Sequence, residues 1–270
     1  TGAVLYSTGL VAFMYGISTI SESAWAKYLL AAGLAVLVLF VRYELKVKQP
    51  VLNLALFSSN ITFAFSNLAA LINYSATFAV GFLLSIYLQV VMGYDSQLAG
   101  FILLSQPVLM AVLSPFAGAL SDRADPRTVS SLGMALTTTG LFVFCFLTAA
   151  TPLWLVIADL ALLGTGFALF SSPNTNSVMG SVEKSFYGVA SSTLGTMRQT
   201  GQAVSMAIVT LLLTIYVGNV QLTQADAGSL VLGTRSAFIV FTVICFGGIF
   251  ASLARGTRKT VEMDSGPGRQ

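Results

Sequence analysis

The acidic residue with the clearest potential for chemistry is Asp159, which lies deep within an apolar run. It is about 10 Å from the outer end of that run, at a helical rise of about 1.5 Å per residue. Ionisable groups at such depth are costly and usually face a bundle interior or a water-filled cavity. Because burial favours the neutral form of a carboxyl group, Asp159 could load and release a proton or cation. The alternatives are a structural hydrogen bond to a neighbouring helix or a position nearer the outer surface.

A second candidate is Arg198, about ten residues into a later apolar run. Small and polar residues share its helical face at spacings of three, four and seven: Ser191, Gly195, Gln202 and Ser205. Such a stripe faces protein or water rather than lipid. Arg198 could neutralise Asp159 or bind an anionic group. The pattern favours a structural cation that holds its helix against residues 171–176.

A similar stripe runs through residues 63–91, where Asn73 and Thr77 lie near mid-membrane with Tyr74 beside them. An apolar wall with a few polar groups suits a lipophilic ligand. We therefore expect Asn73, Tyr74 and Thr77, with Arg198 and Gln202, to line a substrate cavity. Ordinary helix packing through small residues would give the same pattern.

A charged string joins two apolar runs: Gly118-Ala-Leu-Ser-Asp122-Arg123-Ala-Asp125-Pro126-Arg127. Gly118 permits close helix approach, and Asp122 is expected to cap the next helix. Arg123 and Arg127 can pair with carboxylates or carbonyls on neighbouring helices. The string could form a latch that breaks and re-forms as helices move. A plain positively charged loop is the alternative.

Enzymatic chemistry is not indicated. The sequence has no His, and its two cysteines, Cys145 and Cys245, lie far apart in apolar runs, so no short-spaced metal or redox motif exists. No phosphate-binding loop or acidic metal cluster is present. Only 9% of residues are charged, against about 25% in soluble domains. A soluble enzyme or a nucleic-acid binder is therefore a poor interpretation, and neither a cofactor nor a metal is expected.

The elements that must position these residues are apolar runs of about 20 residues, the length that crosses a bilayer. There are eight of them: residues 3–20, 27–43, 63–91, 98–120, 127–149, 152–172, 188–217 and 234–254. Short polar connections make most successive helices antiparallel neighbours. The sequence thus predicts an all-α membrane protein with about eight transmembrane helices.

The orientation follows from the basic residues. If the N-terminus starts inside, the outer ends hold two basic residues, Lys27 and Arg235. The inner ends then hold ten: Arg42, Lys46, Lys48, Arg123, Arg127, Lys184, Arg255, Arg258, Lys259 and Arg269. This bias predicts a multi-pass protein of the cytoplasmic membrane with both termini of this chain in the cytoplasm.

The string from Gly118 to Arg127 resembles the loop signature of the major facilitator superfamily, although Asp125 stands where that signature usually has Gly. Other strings resemble its fourteen-helix drug/proton antiporter branch. They are Tyr87-Leu-Gln-Val-Val-Met-Gly-Tyr94, Pro173-Asn-Thr-Asn176, Arg198-Gln-Thr-Gly201, and Glu44 with Pro50-Val-Leu-Asn-Leu-Ala-Leu-Phe57. The resemblance runs from about Gly2 to Ala254.

This resemblance implies a domain layout. Residues 1–44 would form two linker transmembrane helices, 45–59 a cytoplasmic amphipathic linker, 60–255 a C-terminal six-helix transporter bundle, and 256–270 a cytoplasmic tail. An N-terminal six-helix bundle, on the same chain or a separate one, would complete the transporter.

The implied function is proton-coupled export of a lipophilic or cationic drug by alternating access between two bundles, with Asp159 coupling the charge. Two alternatives remain open. One is a truncated, non-transporting half or membrane scaffold, and the other is an importer of a small metabolite.

Overall fold

The computed structural model of the protein describes residues 2–19, 25–45, 47, 57, 59–218 and 226–255. These residues are nearly all helical, and no strand occurs among them, so the predicted all-α membrane fold is confirmed. The predicted linker over 45–59 and tail over 256–270 fall almost entirely outside the described residues.

The helices follow the apolar runs. They are α1 Gly2–Ser18, α2 Ala26–Glu44, α3 Ile61–Thr77, α4 Val80–Ile86, α5 Ser96–Leu103, α6 Ser105–Arg123, α7 Pro126–Phe144, α8 Leu153–Gly180, α9 Tyr187–Val217 and α10 Ala227–Leu253. A π-helical turn, Tyr87–Val91, continues α4, and a short 3-10 turn, Lys184–Phe186, precedes α9. The pairs α3–α4 and α5–α6 each follow one predicted run, which gives eight helical rods.

Six of the described rods are long and apolar enough to cross a membrane. The apolar part of α1, Val4–Gly16, is shorter, and α7 does not reach the same hydropathy. In α7 the lower hydropathy comes from its six serine and threonine residues over 19 positions. These hydroxyls bond within the protein: Thr137 and Thr138, for example, donate to the carbonyls of Gly133 and Met134.

Two predicted boundaries are wrong. The run expected to end at residue 172 continues as α8 through Pro173 to Gly180. A proline removes one backbone hydrogen bond, the one to the carbonyl of Leu169, and membrane helices tolerate prolines in their interior. The last helix begins at Ala227 rather than 234, because Asp226 caps it by accepting from the Ser229 amide at 2.9 Å.

The bundle is held together by glycine contacts between α7 and α8. A methyl group at Gly133 would lie 2.5 Å from the Phe170 amide nitrogen, and one at Gly166 would lie 2.7 Å from Thr137 Oγ1. Helix α3 packs against α9 and α10, α10 packs against α7, and α6 packs against α8. These contacts place α3, α6, α8 and α9 around one side of the bundle.

Helices α1 and α2 form a tight hairpin of their own. A methyl group at Gly33 would lie 2.5 Å from the Phe13 amide nitrogen. The hairpin meets the bundle chiefly along α9, where the hydroxyls of Tyr6 and Thr200 are hydrogen-bonded at 2.7 Å. It is therefore a lateral attachment to the bundle rather than part of its core.

Candidate functional site

A cavity of about 310 Å³ lies among α3, α4, α6, α8 and α9. Three of the predicted cavity residues line it: Tyr74, Thr77 and Gln202. The remaining lining residues are Phe78, Gly81, Gln106, Pro107, Met110 and Phe167. Asn73 and Arg198, also predicted for the cavity, are not among the lining residues.

The wall of the cavity is aromatic with a few polar groups. The rings of Tyr74 and Phe167 meet edge to face, with centroids 5.3 Å apart and planes at 89°. The amides of Gln106 and Gln202 supply hydrogen-bond donors and acceptors at this wall, and the Thr77 hydroxyl, which already donates within its own helix, supplies an acceptor. Because aromatic rings offer flat apolar contacts and amides fix orientation, this wall suits a planar, largely apolar compound.

A bend between α3 and α4 shapes the cavity. The helix is interrupted at Phe78 and Ala79, and the Ala79 amide donates to Ser205 Oγ of α9 at 3.1 Å. Thr77 Oγ1 donates back to the Asn73 carbonyl at 2.8 Å. Because a serine hydroxyl accepts the freed amide, the bend is stable at a buried position and turns Phe78 towards the cavity.

Asn73 lies one turn before this bend and is fully buried. Neither its side-chain oxygen nor its side-chain nitrogen has a hydrogen-bond partner in the described structure. Buried amides are normally paired, so Asn73 is an unusual, unpaired polar side chain. It directly precedes the lining residue Tyr74 but does not line the cavity itself.

Arg198 lies behind the cavity wall. Its Nη2 donates to Thr175 Oγ1 of α8 at 2.7 Å, and its guanidinium carbon is 5.5 Å from the centroid of the Tyr74 ring. Thr175 is about 24 Å along α8 from Asp159, at a rise of about 1.5 Å per residue. Arg198 therefore does not neutralise Asp159, and its contacts are those expected of a cation that fastens α9 to α8.

Asp159 is 4% exposed, and neither carboxyl oxygen has a partner among the described residues. Its side chain faces α7, since a methyl group at Gly140 would lie 3.0 Å from Asp159 Oδ1. The carboxyl group is thus enclosed between α7 and α8 and does not line the cavity. This arrangement lets a change of protonation act directly on the α7–α8 contact.

The charged string occupies the turn between α6 and α7. A methyl group at Gly118 would lie 3.2 Å from Ser172 Oγ, so this glycine does lie close to another helix, which is α8. The expected cap at Asp122 is wrong: this residue lies within α6, and Asp125 caps α7 by accepting from the Arg127 amide at 3.0 Å. The cap must directly precede the helix, and Pro126 starts α7. The Asp122 side chain lies outside the described structure, while Arg123 is exposed and Arg127 half-buried.

Sequence reasoning missed several lining residues, chiefly Gln106 and Phe167. The sequence could have identified Gln106 as a cavity candidate, because it is a polar amide within an apolar run beside Pro107. A methyl group at Gly164 would lie 2.5 Å from the Gln106 carbonyl oxygen, so this glycine brings α6 and α8 together. Phe167 had no signal, since it is one of 19 phenylalanines. Over the described ranges, no group of three metal-binding side chains occurs.

A bundle of membrane-length helices around a partly polar cavity is the architecture of a secondary transporter. Comparison with known families supports this class. The model of the Major Facilitator Superfamily matches residues 66–270. The chain therefore belongs to the Major Facilitator Superfamily, a family of multi-pass membrane transporters, which points to transport rather than catalysis.

Curated relatives differ in what their names say they carry. The chain is 27% identical to the riboflavin transporter RibZ of Clostridioides difficile over 87% of this chain and 52% of RibZ. It is 29% identical to the uncharacterized transporter YebQ of Escherichia coli over 91% and 53%, respectively. It is 23% identical to the lincomycin resistance protein LmrB of Listeria monocytogenes over 93% and 55%. The chain thus spans about half the length of these relatives.

Proposed function

We propose that this chain forms the C-terminal half of a secondary transporter that exports lipophilic, planar aromatic compounds across the cytoplasmic membrane. The observation that carries this proposal is the cavity walled by Tyr74, Phe167 and two glutamine amides. In this proposal an N-terminal six-helix bundle, on the same chain or a separate one, supplies the opposite wall. Both ends of this chain face the cytoplasm, where its basic residues concentrate.

The α1–α2 hairpin favours the fourteen-helix branch of the family. In this proposal, residues 1–44 form two extra central helices, 45–59 a cytoplasmic linker and 60–255 the transporter bundle, followed by a tail over 256–270. The support is that the hairpin packs as a separate unit beside α9, while the family match begins only at residue 66.

The charge around the cavity favours a neutral substrate over a cationic one. The lining residues described above include no acid, and the Arg198 guanidinium lies behind the Tyr74 ring. A cationic compound would meet a positive charge here and would need a carboxylate from the opposite wall. A neutral or weakly anionic ring system needs no such group.

Proton coupling is assigned to Asp159 in this proposal. Its carboxyl group is buried without a partner and faces Gly140 of α7. Since Asp159 does not line the cavity, the proton would act through packing: the charged form disfavours the tight α7–α8 contact, and the neutral form permits it. The loop from Gly118 to Arg127 would then serve as the conformational latch at the cytoplasmic side.

Transport of a neutral planar dye by the complete gene product tests the proposal. We expect inside-out vesicles to accumulate the dye when their lumen is acidic, and Phe167→Ala to reduce the initial rate about tenfold, which corresponds to about 1.4 kcal/mol. The matched control is Phe116→Ala, because Phe116 is 69% exposed on α6 and outside the cavity. Equal rates for the two variants would remove the cavity from the substrate path.

Uptake of a small heteroaromatic metabolite is the second candidate, and the match to a riboflavin transporter favours it. The same vesicles separate the two directions: export predicts accumulation in inside-out vesicles with an acidic lumen, and uptake predicts accumulation in right-side-out vesicles with an acidic exterior. Failure of transport in both orientations would leave a non-transporting scaffold.

A further inference from the structure

Arg255 is a buried cation with no hydrogen-bond partner among the described residues. It lies just after α10, is 1% exposed, and all three of its side-chain nitrogens are unpaired. A guanidinium offers five N–H donors, and a buried charge is costly unless it is paired. The side chain is therefore placed to receive an anionic group from outside the described residues.

The surroundings of Arg255 contain a second cation. Ser131 of α7 donates to Ser252 Oγ of α10 at 2.8 Å, one helical turn inward from Arg127 and Arg255. This hydrogen bond brings the start of α7 and the end of α10 together. Burial lowers the pKa of Arg255 to about 10, with a further lowering by Arg127 and an opposing effect of Asp125. Arg255 is still protonated near neutral pH.

Among the described side chains, Asp125 is the acid that acts on Arg255, and it is already engaged. The Asp125 carboxylate caps α7 by accepting from the Arg127 amide and is otherwise exposed. It does not bond any nitrogen of Arg255. Among these described side chains, two guanidinium groups stand against one carboxylate, so the net charge where α7 begins and α10 ends is positive. We call this place the α7–α10 cleft and define it by Arg127, Arg255 and Asp125.

The ends of the apolar helices indicate where the α7–α10 cleft lies relative to a bilayer, and we expect it near the lipid headgroups. The apolar segment of α10 ends at Leu253, and α7 begins at Pro126, so the cleft is at the end of both helices where the basic residues concentrate. Basic pockets between transmembrane helices on the cytoplasmic side suit anionic lipid headgroups. The planar fork of arginine also matches two oxygens of a phosphate group.

We propose that the α7–α10 cleft binds the phosphodiester headgroup of an anionic phospholipid, with Arg255 as its direct ligand and Arg127 as the second cation. The bound phosphate supplies the acceptors that Arg255 lacks. Lipid binding would then fasten α7 to α10 beside the α6–α7 turn. This inference does not depend on which substrate the protein carries.

The test uses the full chain in nanodiscs of phosphatidylcholine, with and without phosphatidylglycerol. Because a ligand of the folded state stabilises it by mass action, we expect phosphatidylglycerol to raise the Tm of the unmodified protein. Arg255→Met should abolish this rise. In phosphatidylcholine alone, Arg255→Met should be at least as stable as the unmodified protein, because it replaces an unpaired buried charge.

Arg42→Met is the matched control, because Arg42 is an exposed basic residue at the end of α2 on the same predicted membrane side. It should keep the full rise in Tm with phosphatidylglycerol. Native mass spectrometry should show retained phosphatidylglycerol on the unmodified protein and on Arg42→Met. If Arg255→Met does not fold, Arg127→Gln replaces it, and we expect this variant to lower phosphatidylglycerol retention several-fold.

Three results would overturn the proposal. The first is an unchanged phosphatidylglycerol response in both Arg255→Met and Arg127→Gln. The second is an equal Tm rise with inorganic phosphate in phosphatidylcholine, which would define a site for free phosphate. The third is the absence of a phosphatidylglycerol response in the unmodified protein, together with a lower Tm for the double variant Glu262→Gln, Asp264→Asn. This result would mean that a carboxylate of the tail, and not a lipid, pairs with Arg255.

Discussion

The α7–α8 interface and the cavity use similar residue types in opposite ways. At the interface, glycines bring two backbones into contact, and the Thr137 and Thr138 hydroxyls bond carbonyls of their own helix. At the cavity, the helix α3–α4 is bent, and the side chains of Gln106 and Gln202 face open space. The interface therefore contributes mainly to the stability of the bundle, whereas the cavity presents polar groups that a ligand could bind.

The comparison shows where a polar residue has functional meaning in a membrane bundle. A hydroxyl that bonds its own helix is already satisfied and adds little chemistry. Asp159 breaks this pattern, because it lies in the close-packed interface and yet neither oxygen is paired. Substitutions in the two regions should consequently affect stability and transport in different proportions.

The largest effect is expected for Gly133→Ala. The added methyl group would lie 2.5 Å from the Phe170 amide nitrogen, so α7 and α8 must separate, at a cost of about 1–3 kcal/mol or more. Gly195→Ala is the control, since a methyl group there has no neighbour within 4 Å. Unfolding of the two variants in detergent checks the difference. Equal stabilities would show that the interface is not close-packed.

Asp159→Asn should separate packing from transport. The substitution keeps the shape of the side chain and removes its charge, so the protein should be as stable as before or slightly more stable. Proton-driven transport should fall to the level of cells that lack the protein. The measurement is dye transport in vesicles with an imposed pH gradient, alongside membrane insertion. Unchanged transport would leave Asp159 as a packing residue only.

Ser205→Ala tests whether the bend beside the cavity depends on one hydrogen bond. The variant removes the acceptor of the buried Ala79 amide, which is 3.1 Å from Ser205 Oγ, and should cost about 1–3 kcal/mol. The control is Thr139→Ala, because the exposed Thr139 hydroxyl bonds only the Ala135 carbonyl of its own helix. Denaturant unfolding of both variants gives the comparison, and a loss no greater than the control's would mean that the bend needs no partner.

The sequence predicted the fold better than the site, for a physical reason. Apolar runs of about 20 residues mark rods in a bilayer, and each predicted run became a helix. The helical stripe around Arg198 likewise predicted a side chain turned towards protein, and its contact with Thr175 agrees with this. These features depend on one helix alone.

The orientation of Asp159 depends on two helices and could not be read from one. Its depth was visible in the sequence, but the face that meets α7 is set by the glycines Gly133, Gly140 and Gly166. The continuation of α8 past Pro173 was missed for a different reason, because a proline usually ends a helix in a soluble protein but is tolerated inside a membrane helix.

The smallest change in stability is expected for Gln202→Leu. This variant tests whether a polar side chain at the cavity serves binding, in contrast to the packing residues of the α7–α8 interface. Its amide is half-buried at the cavity wall, so its loss should alter the free energy of unfolding by no more than about 0.5 kcal/mol. A substrate that bonds this amide should bind more weakly by about 0.5–1.5 kcal/mol.

Gln199→Leu is the control on the same helix, because Gln199 is exposed and outside the cavity. Substrate titration by fluorescence, with unfolding measured in parallel, should show weaker binding for Gln202→Leu alone. A large loss of stability with unchanged binding would instead make the Gln202 amide a packing group, like the hydroxyls of the α7–α8 interface.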